Sequence, residues 1–410
     1  MPPAGKLKRA EPLEIVAPSK SVHREELFDM LAKVYSWRGG YYERLEMCRN
    51  GYIDDSHYDW SASRIGLLGG KIVTHWGVWD YRMRIGATRV RVAGVGWVAT
   101  DGRLRKRGLT ARTARAWLQA VPGHGYDMTV LFGIPNLYHR FGYVRAWSEG
   151  IWTVAAGDLP KQRPPARLHE FSLARRREDT DALYNRQYAR VTGTAVRPPF
   201  QSHKRPKCRG YLWCDSRGRT AGYVILDLGN MQKVTVTEAV GPAKEVLAAV
   251  GVLARRLRLI EIRFRGLAAD GDLARCLRWG NSRCEIHYAR SSGAMVRTVN
   301  LRSCLVKLAP ELSRRLRRSH LAAWRGTLLV ADPREKVVLA IARGRVRVAD
   351  GRSAPHAIIG GEEIAQLLLG TDDPAEVIRA GGMKTRGDAA ELAAVLFPNQ
   401  HPMLCEWDRF

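Results

Sequence analysis

The stretch 92–143 constrains the fold of this chain more than any other. It begins with a valine-rich strand, turns through a basic segment that ends at Gly108, and continues as a helical pattern over 108–120. A second apolar strand at 127–132 precedes a short helix that carries Tyr138. Strand, turn, helix and strand in this order predict mixed layers of helix and sheet, with the turn at the helix N-terminus.

The basic turn predicts an anion-binding site. Backbone amides at a helix N-terminus bind anions readily, and the helix dipole favours negative charge there. Gly108 lets the main chain approach phosphate oxygens closely, because glycine has no side chain in the way. Arg105, Lys106 and Arg107 add positive charge beside it. A glycine directly before a helix favours pyrophosphate binding over the alternative, a solvated basic turn.

The charge of the chain bears on its partners. The net charge is +27 over 410 residues, whereas the apolar content of 45% is ordinary for a globular protein. This length predicts two or three domains with an ample buried core. The charge raises nucleic acid or an acidic protein as a partner. The basic residues are scattered rather than gathered in one arm, which favours a solvated arginine-rich surface instead.

Cysteine usage indicates a reducing compartment. The seven cysteines are an odd number without a dense framework, so free thiols and a cytoplasmic location are expected. Cys208 and Cys214 lie near His203, but five residues separate the two cysteines, which is wider than a zinc knuckle, and no metal is expected. No run reaches the roughly 20 apolar residues that a membrane span needs.

The rest of the chain predicts two further units. A proline-containing segment at 160–167 predicts a linker, after a strand predicted over 143–154. Between 179 and 264 the order of strand, helix and strand returns, but no basic glycine turn follows 234–237. We therefore expect a second copy of the fold without cofactor chemistry. Beyond Val299, a basic amphipathic helix, a hairpin and two helical stretches predict a third unit.

Two motifs resemble the GNAT superfamily of N-acetyltransferases. The first is Arg105-Lys106-Arg107-Gly108-Leu109-Thr110, similar to the pyrophosphate loop Arg/Gln-x-x-Gly-x-Gly/Ala, and the second is Tyr138-His-Arg-Phe-Gly-Tyr143. The sequence departs from the family pattern at two positions: Thr110 stands where a small residue is usual, and Thr100 stands where a proline is common.

The order of three units ending in Phe410 resembles the Eis (enhanced intracellular survival) family within that superfamily. The resemblance implies an α+β (mixed α/β) fold. It has two tandem GNAT-like domains with mixed central sheets and a C-terminal domain like a sterol carrier protein. The implied boundaries are 1–157, 168–298 and 299–410.

The resemblance also implies the site residues and acetyl-CoA as co-substrate. Tyr138 matches the general acid that protonates the departing thiolate, and the terminal carboxylate of Phe410 matches the general base. Backbone pairing with the pantetheine arm, as by an added strand, is implied for Gly96, Trp97 and Val98. The pyrophosphate is implied to contact Arg105, Lys106, Arg107, Gly108, Leu109, Thr110 and Ala111. Gly133 and Asn136 are implied to line the far side of the cofactor.

The two catalytic roles have alternatives. A tyrosine with a pKa near ~10 is protonated at neutral pH, and its place in the motif favours Tyr138 as acid over a core aromatic. An α-carboxyl with a pKa near ~3.5 is a poor base unless burial raises the pKa or water relays the proton. Phe410 is therefore either a base or a hydrophobic plug, held by packing because free chain ends fray.

The function implied is acetyl transfer from acetyl-CoA to a primary amine by direct attack, in a homo-oligomer. The resemblance suggests aminoglycosides, polyamines or lysine side chains as acceptors. The net positive charge opposes polycationic acceptors unless local acids form a negative pocket; the candidates are Glu25, Glu26, Asp29, Glu406 and Asp408. The alternative is a non-catalytic basic protein that binds nucleic acid or anionic lipid on a relic GNAT scaffold.

Overall fold

The computed structural model describes residues 12–54, 56–161, 167–173, 178–197, 208–229 and 233–410. The loose tail predicted at the N-terminus and the linker predicted at 160–167 lie largely outside the described residues. The chain divides into two compact units. Unit 1 comprises Met1–Trp79 and Val95–His124, and unit 2 comprises Asp80–Gly94 and Gly125–Phe410.

Unit 1 contains one sheet region and its helices. Its elements are β1 (Glu14–Val16), α1 (Lys20–Tyr35), α2 (Tyr41–Met47), β2 (Arg64–Leu68), the first part of β3 (Lys71–Ile85), the last part of β4 (Thr88–Thr100) and α3 (Leu109–Ala120). The strand order there is β1-β2-β3-β4.

Local sequence explains the turns of unit 1. Gly69 and Gly70 have φ of 55° and 73°, which is the left-handed backbone that a two-residue hairpin requires, and they join β2 to β3. Helix α3 packs on the sheet through Trp117, whose ring centroid lies 5.5 Å from that of Trp76. Both tryptophans are fully buried, so α3 is held firmly against the strands.

Unit 2 contains the remaining parts of β3 and β4 and two further sheets. Its other strands are β5 (Met128–Gly133), β6 (Val144–Arg145), β7 (Glu149–Ala155), β8 (His169–Phe171), β9 (Cys208–Cys214), β10 (Thr220–Asp227), β11 (Lys233–Val240), β12 (Glu261–Arg265), β13 (Ser282–His287), β14 (Gly293–Thr298), β15 (Gly326–Ala331), β16 (Lys336–Ala342), β17 (Arg345–Ala349), β18 (His356–Ile359) and β19 (Lys384–Arg386).

The helices of unit 2 cover these sheets. They are α4 (Glu178–Gln187), α5 (Ala243–Arg256), α6 (Asp272–Trp279), α7 (Leu301–Arg317), α8 (Ile364–Leu369), α9 (Pro374–Ala380) and α10 (Ala389–Leu396). No helix in the described ranges is both long enough and apolar enough to cross a membrane.

The sheets of unit 2 are mixed. The first has the order β3-β4-β5-β14-β6, the second β13-β7-β12-β11-β10-β9-β8, and the third β17-β16-β15-β18-β19. In the second sheet β11 and β12 are parallel and α5 connects them, which confirms the predicted strand, helix and strand. In the third sheet β15 and β18 are parallel.

The single strand predicted over 143–154 is wrong, because the chain changes sheets there. β6 pairs with β14 in the first sheet, whereas β7 pairs with β12 and β13 in the second. At the break, the amide of Ala146 donates to the carbonyl of Ala294 at 2.8 Å, and its carbonyl accepts from the Thr371 hydroxyl at 2.6 Å. Polar residues interrupt this stretch at Arg145, Ser148 and Glu149, but they do not indicate which sheet each part joins.

A buried carboxylate joins α7 to the first sheet. Asp127 is fully buried, and its oxygens accept from the amide of Arg91 at 2.7 Å and from the hydroxyl of Ser303 at 2.6 Å. The Lys307 ammonium donates to the same carboxylate at 2.6 Å. A buried charge needs such partners, so this contact fixes where α7 meets the strands.

We expect Asp127→Ala to lower the free energy of unfolding by about 3 kcal/mol, because the buried donors lose their acceptor while the Lys307 charge partly returns to water. Thermal and denaturant unfolding measure the loss. Glu376→Ala is the control, since Glu376 pairs with Arg379 on the exposed surface of α9 and its loss should change the free energy of unfolding little. Equal losses in the two variants would contradict the anchoring role of Asp127.

Candidate active site

The loop between β4 and α3 is ordered by its own polar contacts. The amide of Asp101 donates to the carbonyl of Val73 at 2.9 Å, and the Asp101 carboxylate accepts from the amide of Arg103 at 2.9 Å. Beyond this turn the backbone of Lys106 has φ 62°, and the side chains of Arg105 to Gly108 are exposed. The positive charge predicted beside the helix is therefore presented to solvent.

Gly108 caps the start of α3 with φ 74°. A Cβ atom there would meet nothing within 4 Å, so the space beside Gly108 is open. The first intrahelical bond runs from the amide of Arg112 to the carbonyl of Gly108 at 3.1 Å. The amides of Leu109, Thr110 and Ala111 therefore have no acceptor within the helix, which is the arrangement that binds anions.

The two residues that depart from the family pattern contact each other. The hydroxyls of Thr100 and Thr110 are 2.5 Å apart, so the end of β4 is tied to the first turn of α3. One turn later the hydroxyl of Thr113 lies 2.7 Å from that of Thr74 in β3. Leu109 is buried in the same region, against Leu13. The helix N-terminus is thereby held in place without the usual small residue.

The strand predicted to pair with pantetheine is irregular at Trp97. This residue has φ 47°, which is unusual for a bulky side chain. Its carbonyl lies 2.7 Å from His75 Nδ1, and His75 Nε2 lies 2.8 Å from the Tyr58 hydroxyl. Because a carbonyl only accepts, Nδ1 carries the proton and Nε2 accepts from Tyr58. Burial lowers the pKa of His75 to about 4, so the imidazole is neutral.

Two further contacts surround the same stretch of β4. The Tyr35 hydroxyl donates to the carbonyl of Val98 at 2.8 Å, and the rings of Tyr35 and Trp97 are 5.0 Å apart. A Cβ on Gly77 would lie 2.9 Å from the carbonyl oxygen of Gly96, so glycine is needed where the two strands approach. The sequence pattern gave no sign of the contact between His75 and Trp97, which are 22 residues apart.

Tyr138 begins a short 3-10 helix, Tyr138–Phe141, in unit 2. Its side chain is 8% exposed, and a Cβ on Gly133 would lie 2.7 Å from its ring. Gly133 therefore makes room for the tyrosine. Gly142, with φ 77°, ends the helix. Asn136 has φ 61°, and its side-chain oxygen accepts from the Ser291 hydroxyl at 3.1 Å.

Phe410 is buried, with 9% of its surface exposed. A Cβ on Gly94 would lie 2.5 Å from its ring, so the phenyl group fills a notch above that glycine. The rings of Tyr81 and Phe132 lie 5.3 Å and 5.8 Å from it. These contacts supply the packing that a buried residue at this position needs. Arg409 lies over the Phe132 ring at 4.4 Å and donates to Glu149 at 2.8 Å.

The domain that carries the loop has a known relative. Residues 17–146 match a family model described as an acetyltransferase (GNAT) domain. The protein contains a GNAT domain. GNAT domains are acyltransferase domains, and GNAT enzymes use acetyl-CoA. No functionally curated protein matches the sequence significantly.

The fold is shared with solved structures at low sequence identity. A conserved protein of unknown function from Enterococcus faecalis, a probable N-acyltransferase, has a TM-score of 0.78 at 17% identity, covering 96% of this chain and 99% of that one. A GCN5-related N-acetyltransferase from Kribbella flavida has a TM-score of 0.72 at 17% identity, and the match covers 98% of this chain and 99% of that one. Eis1 from Mycobacterium abscessus has a TM-score of 0.68 at 17% identity, and the match covers 97% of this chain and 100% of that one. The chain thus has an Eis-like fold along nearly its whole length.

The buried His75 predicts how stability depends on pH. Its pKa in the folded protein is about 4, below the usual value near ~6.5, so the unfolded chain binds the proton first as pH falls. The resulting stability loss of about 3 kcal/mol should develop between pH ~6.5 and ~4. Unfolding of the protein and of His75→Gln at several pH values isolates this contribution from other groups. Parallel pH dependence in the two proteins would refute it.

Proposed function

We propose that this protein is an N-acetyltransferase that moves the acetyl group of acetyl-CoA to a primary amine by direct attack. The observation that carries the proposal is the open space at Gly108, which directly precedes Leu109, Thr110 and Ala111, whose amides have no acceptor within the helix. An anion fits there without a side chain in the way. Acetyl-CoA supplies the diphosphate and the reactive thioester.

The residues around that opening have proposed roles in binding. Arg105, Lys106 and Arg107 neutralise the diphosphate. The main chain of Gly96, Trp97 and Val98 pairs with the pantetheine arm, with the carbonyl of Val98 already accepting from Tyr35. Gly133 and Asn136 contribute to the far side of the site, Gly133 by making room for the Tyr138 ring.

In the proposed reaction, the amine nitrogen attacks the thioester carbonyl carbon and the carbon–sulfur bond breaks. Tyr138 gives its phenolic proton to the departing sulfur, and the Phe410 carboxylate takes a proton from the amine. Binding the two reactants side by side supplies much of the acceleration. Gly94, which the Phe410 ring covers, precedes Gly96 by two residues in β4.

The acceptor is proposed from the contacts of the acidic side chains. Several acids that would attract a polycation already have partners: Glu25 accepts from Arg49 at 2.6 Å and Asp29 from Lys33 at 2.6 Å. Asp408 pairs with Arg197 at 2.9 Å. We therefore expect lysine side chains or simple amines to react better than aminoglycosides or polyamines. A panel of these amines, with thiol release as the readout, tests both the activity and this order.

The domain organisation is also proposed. We infer domains at 1–157, 168–298 and 299–410, the last with a fold like a sterol carrier protein. The five strands β15–β19 of a separate sheet, with α7–α10, support a distinct third domain. Three further properties stay predictions: a homo-oligomer, a cytoplasmic location, and binding of nucleic acid or anionic lipid to the basic surface.

Gly108→Leu should abolish stabilisation by acetyl-CoA, because the added side chain occupies the open space at Gly108, where we propose that the diphosphate binds. Thermal unfolding with and without acetyl-CoA measures the effect. Gly218→Leu is a matched control, with φ 75° and nothing within 4 Å of its Cβ. Stabilisation that survives in Gly108→Leu would count against this site. Binding of nucleic acid alone, falling steeply with salt, would favour the non-catalytic alternative.

Tyr138→Phe should lower kcat by roughly 10–100-fold while the Kd for acetyl-CoA stays unchanged, because only the proton donor is lost. Steady-state kinetics and calorimetry measure the two quantities. Tyr143→Phe is the matched variant, since it removes a hydroxyl that lies 2.9 Å from that of Thr129. Wild-type turnover by Tyr138→Phe across the pH range would remove the acid role.

Two changes at the chain end test whether Phe410 acts through its carboxylate, as a base, or through its ring, by packing. Adding one glycine after Phe410 keeps the ring but moves the carboxylate, whereas Phe410→Leu keeps the carboxylate and shrinks the ring. If the carboxylate is the base, the extension should lower kcat by about tenfold or more and the leucine variant much less. The reverse order would assign Phe410 a packing role alone.

A further inference from the structure

A cluster of buried charges lies beside the C-terminal segment. The guanidinium of Arg197 donates to Asp408 at 2.9 Å and 3.1 Å, and to Glu238 at 2.8 Å and 2.6 Å. Both carboxylates are about 1% exposed. The Tyr184 hydroxyl donates to Asp408 at 2.8 Å, and the Tyr223 hydroxyl to Glu238 at 2.6 Å. Each acid thus accepts from a different tyrosine, and the two acids share one arginine.

Arg197 is the cation that both acids of this cluster contact. The acid oxygens of Glu238 and Asp408 and the Cys405 sulfur lie within 4.8 Å of one another, a spacing that suits metal ligands. However, the guanidinium already bonds both carboxylates and lies 3.7 Å over the Tyr184 ring. The two acids hold the pKa of Arg197 well above its usual value in spite of burial, so the arginine takes the place of a metal cation.

The residues before Phe410 are each fixed by a different contact. The indole of Trp407 donates to the Thr237 hydroxyl at 3.0 Å, Asp408 bonds Arg197, and Arg409 donates to Glu149. Thr237 lies in β11 and Glu149 in β7, so two of these partners belong to the second sheet. Three successive anchors leave the final residue little freedom of position.

We propose that Arg197 is a positioning residue, which through Asp408 sets the location of the Phe410 carboxylate. This inference rests on the proposed function. In this arrangement the second GNAT-like region, which lacks the basic glycine turn, serves the reaction by holding the chain end. Arg197 acts through Asp408, which it bonds directly. Such positioning matters because a small displacement of a catalytic group can lower the rate by orders of magnitude.

A matched pair of tyrosines tests the proposal. Tyr184→Phe removes a hydrogen bond to Asp408. Tyr223→Phe removes a bond of similar length to Glu238 and a longer one, 3.3 Å, that the Tyr223 hydroxyl accepts from Arg197. We expect Tyr184→Phe to lower kcat several-fold and Arg197→Lys roughly tenfold or more, with unchanged affinity for acetyl-CoA, while Tyr223→Phe stays within twofold of wild type. Equal effects of the two tyrosine variants on kcat, in proportion to lost stability, would overturn it.

A second readout is independent of activity. Carboxypeptidase should release Phe410 faster from Tyr184→Phe and Arg197→Lys than from Tyr223→Phe or wild type, below the unfolding temperature. Equal release from all four proteins would overturn the clamp. Faster release with unchanged turnover would overturn the positioning role. If wild type transfers acetyl to no amine, the proposed function fails, and the release rates alone decide whether Arg197 holds the chain end.

Discussion

Burying a carboxylate requires partners that replace water, and the C-terminal segment depends on that requirement. Asp408 is buried, and its pKa is raised by burial although Arg197 opposes the rise. Removing a partner from such a pair usually costs about 3–5 kcal/mol, so the segment has one stable location. The ring of Phe410 then fills the notch above Gly94. One buried ion cluster therefore determines where a proposed catalytic group lies.

The loop of unit 1 depends on a different constraint, the support of unusual backbone conformations. Trp97 and Lys106 have positive φ, which costs a bulky or charged residue about 1 kcal/mol or more. His75 holds the first of these by bonding its carbonyl, and the pair of Thr100 and Thr110 holds the helix beyond the second. The proposed anion site is consequently a property of the folded unit rather than of the loop alone.

The sheets show how the GNAT domain and the rest of the chain are interleaved. β7 follows the first sheet in sequence yet pairs in the second, and β14 returns from the second region to pair with β5. Cutting the chain between the two regions would therefore remove a strand from each sheet. This explains why the segments around Trp147 and Thr298 cannot be assigned to one sheet by their order in sequence.

Much of the local structure was determined by the sequence itself. The turn at Gly69 and Gly70, the glycine that opens α3 and the short helix at Tyr138 all follow from neighbouring residues, since turn geometry and helix ends are short-range properties. Only the tertiary structure decided that β7 changes sheets, that His75 supports Trp97, and that Arg197 meets an acid 211 positions away. Such pairings depend on how distant segments pack together, and no local pattern encodes which buried charge a given arginine will meet.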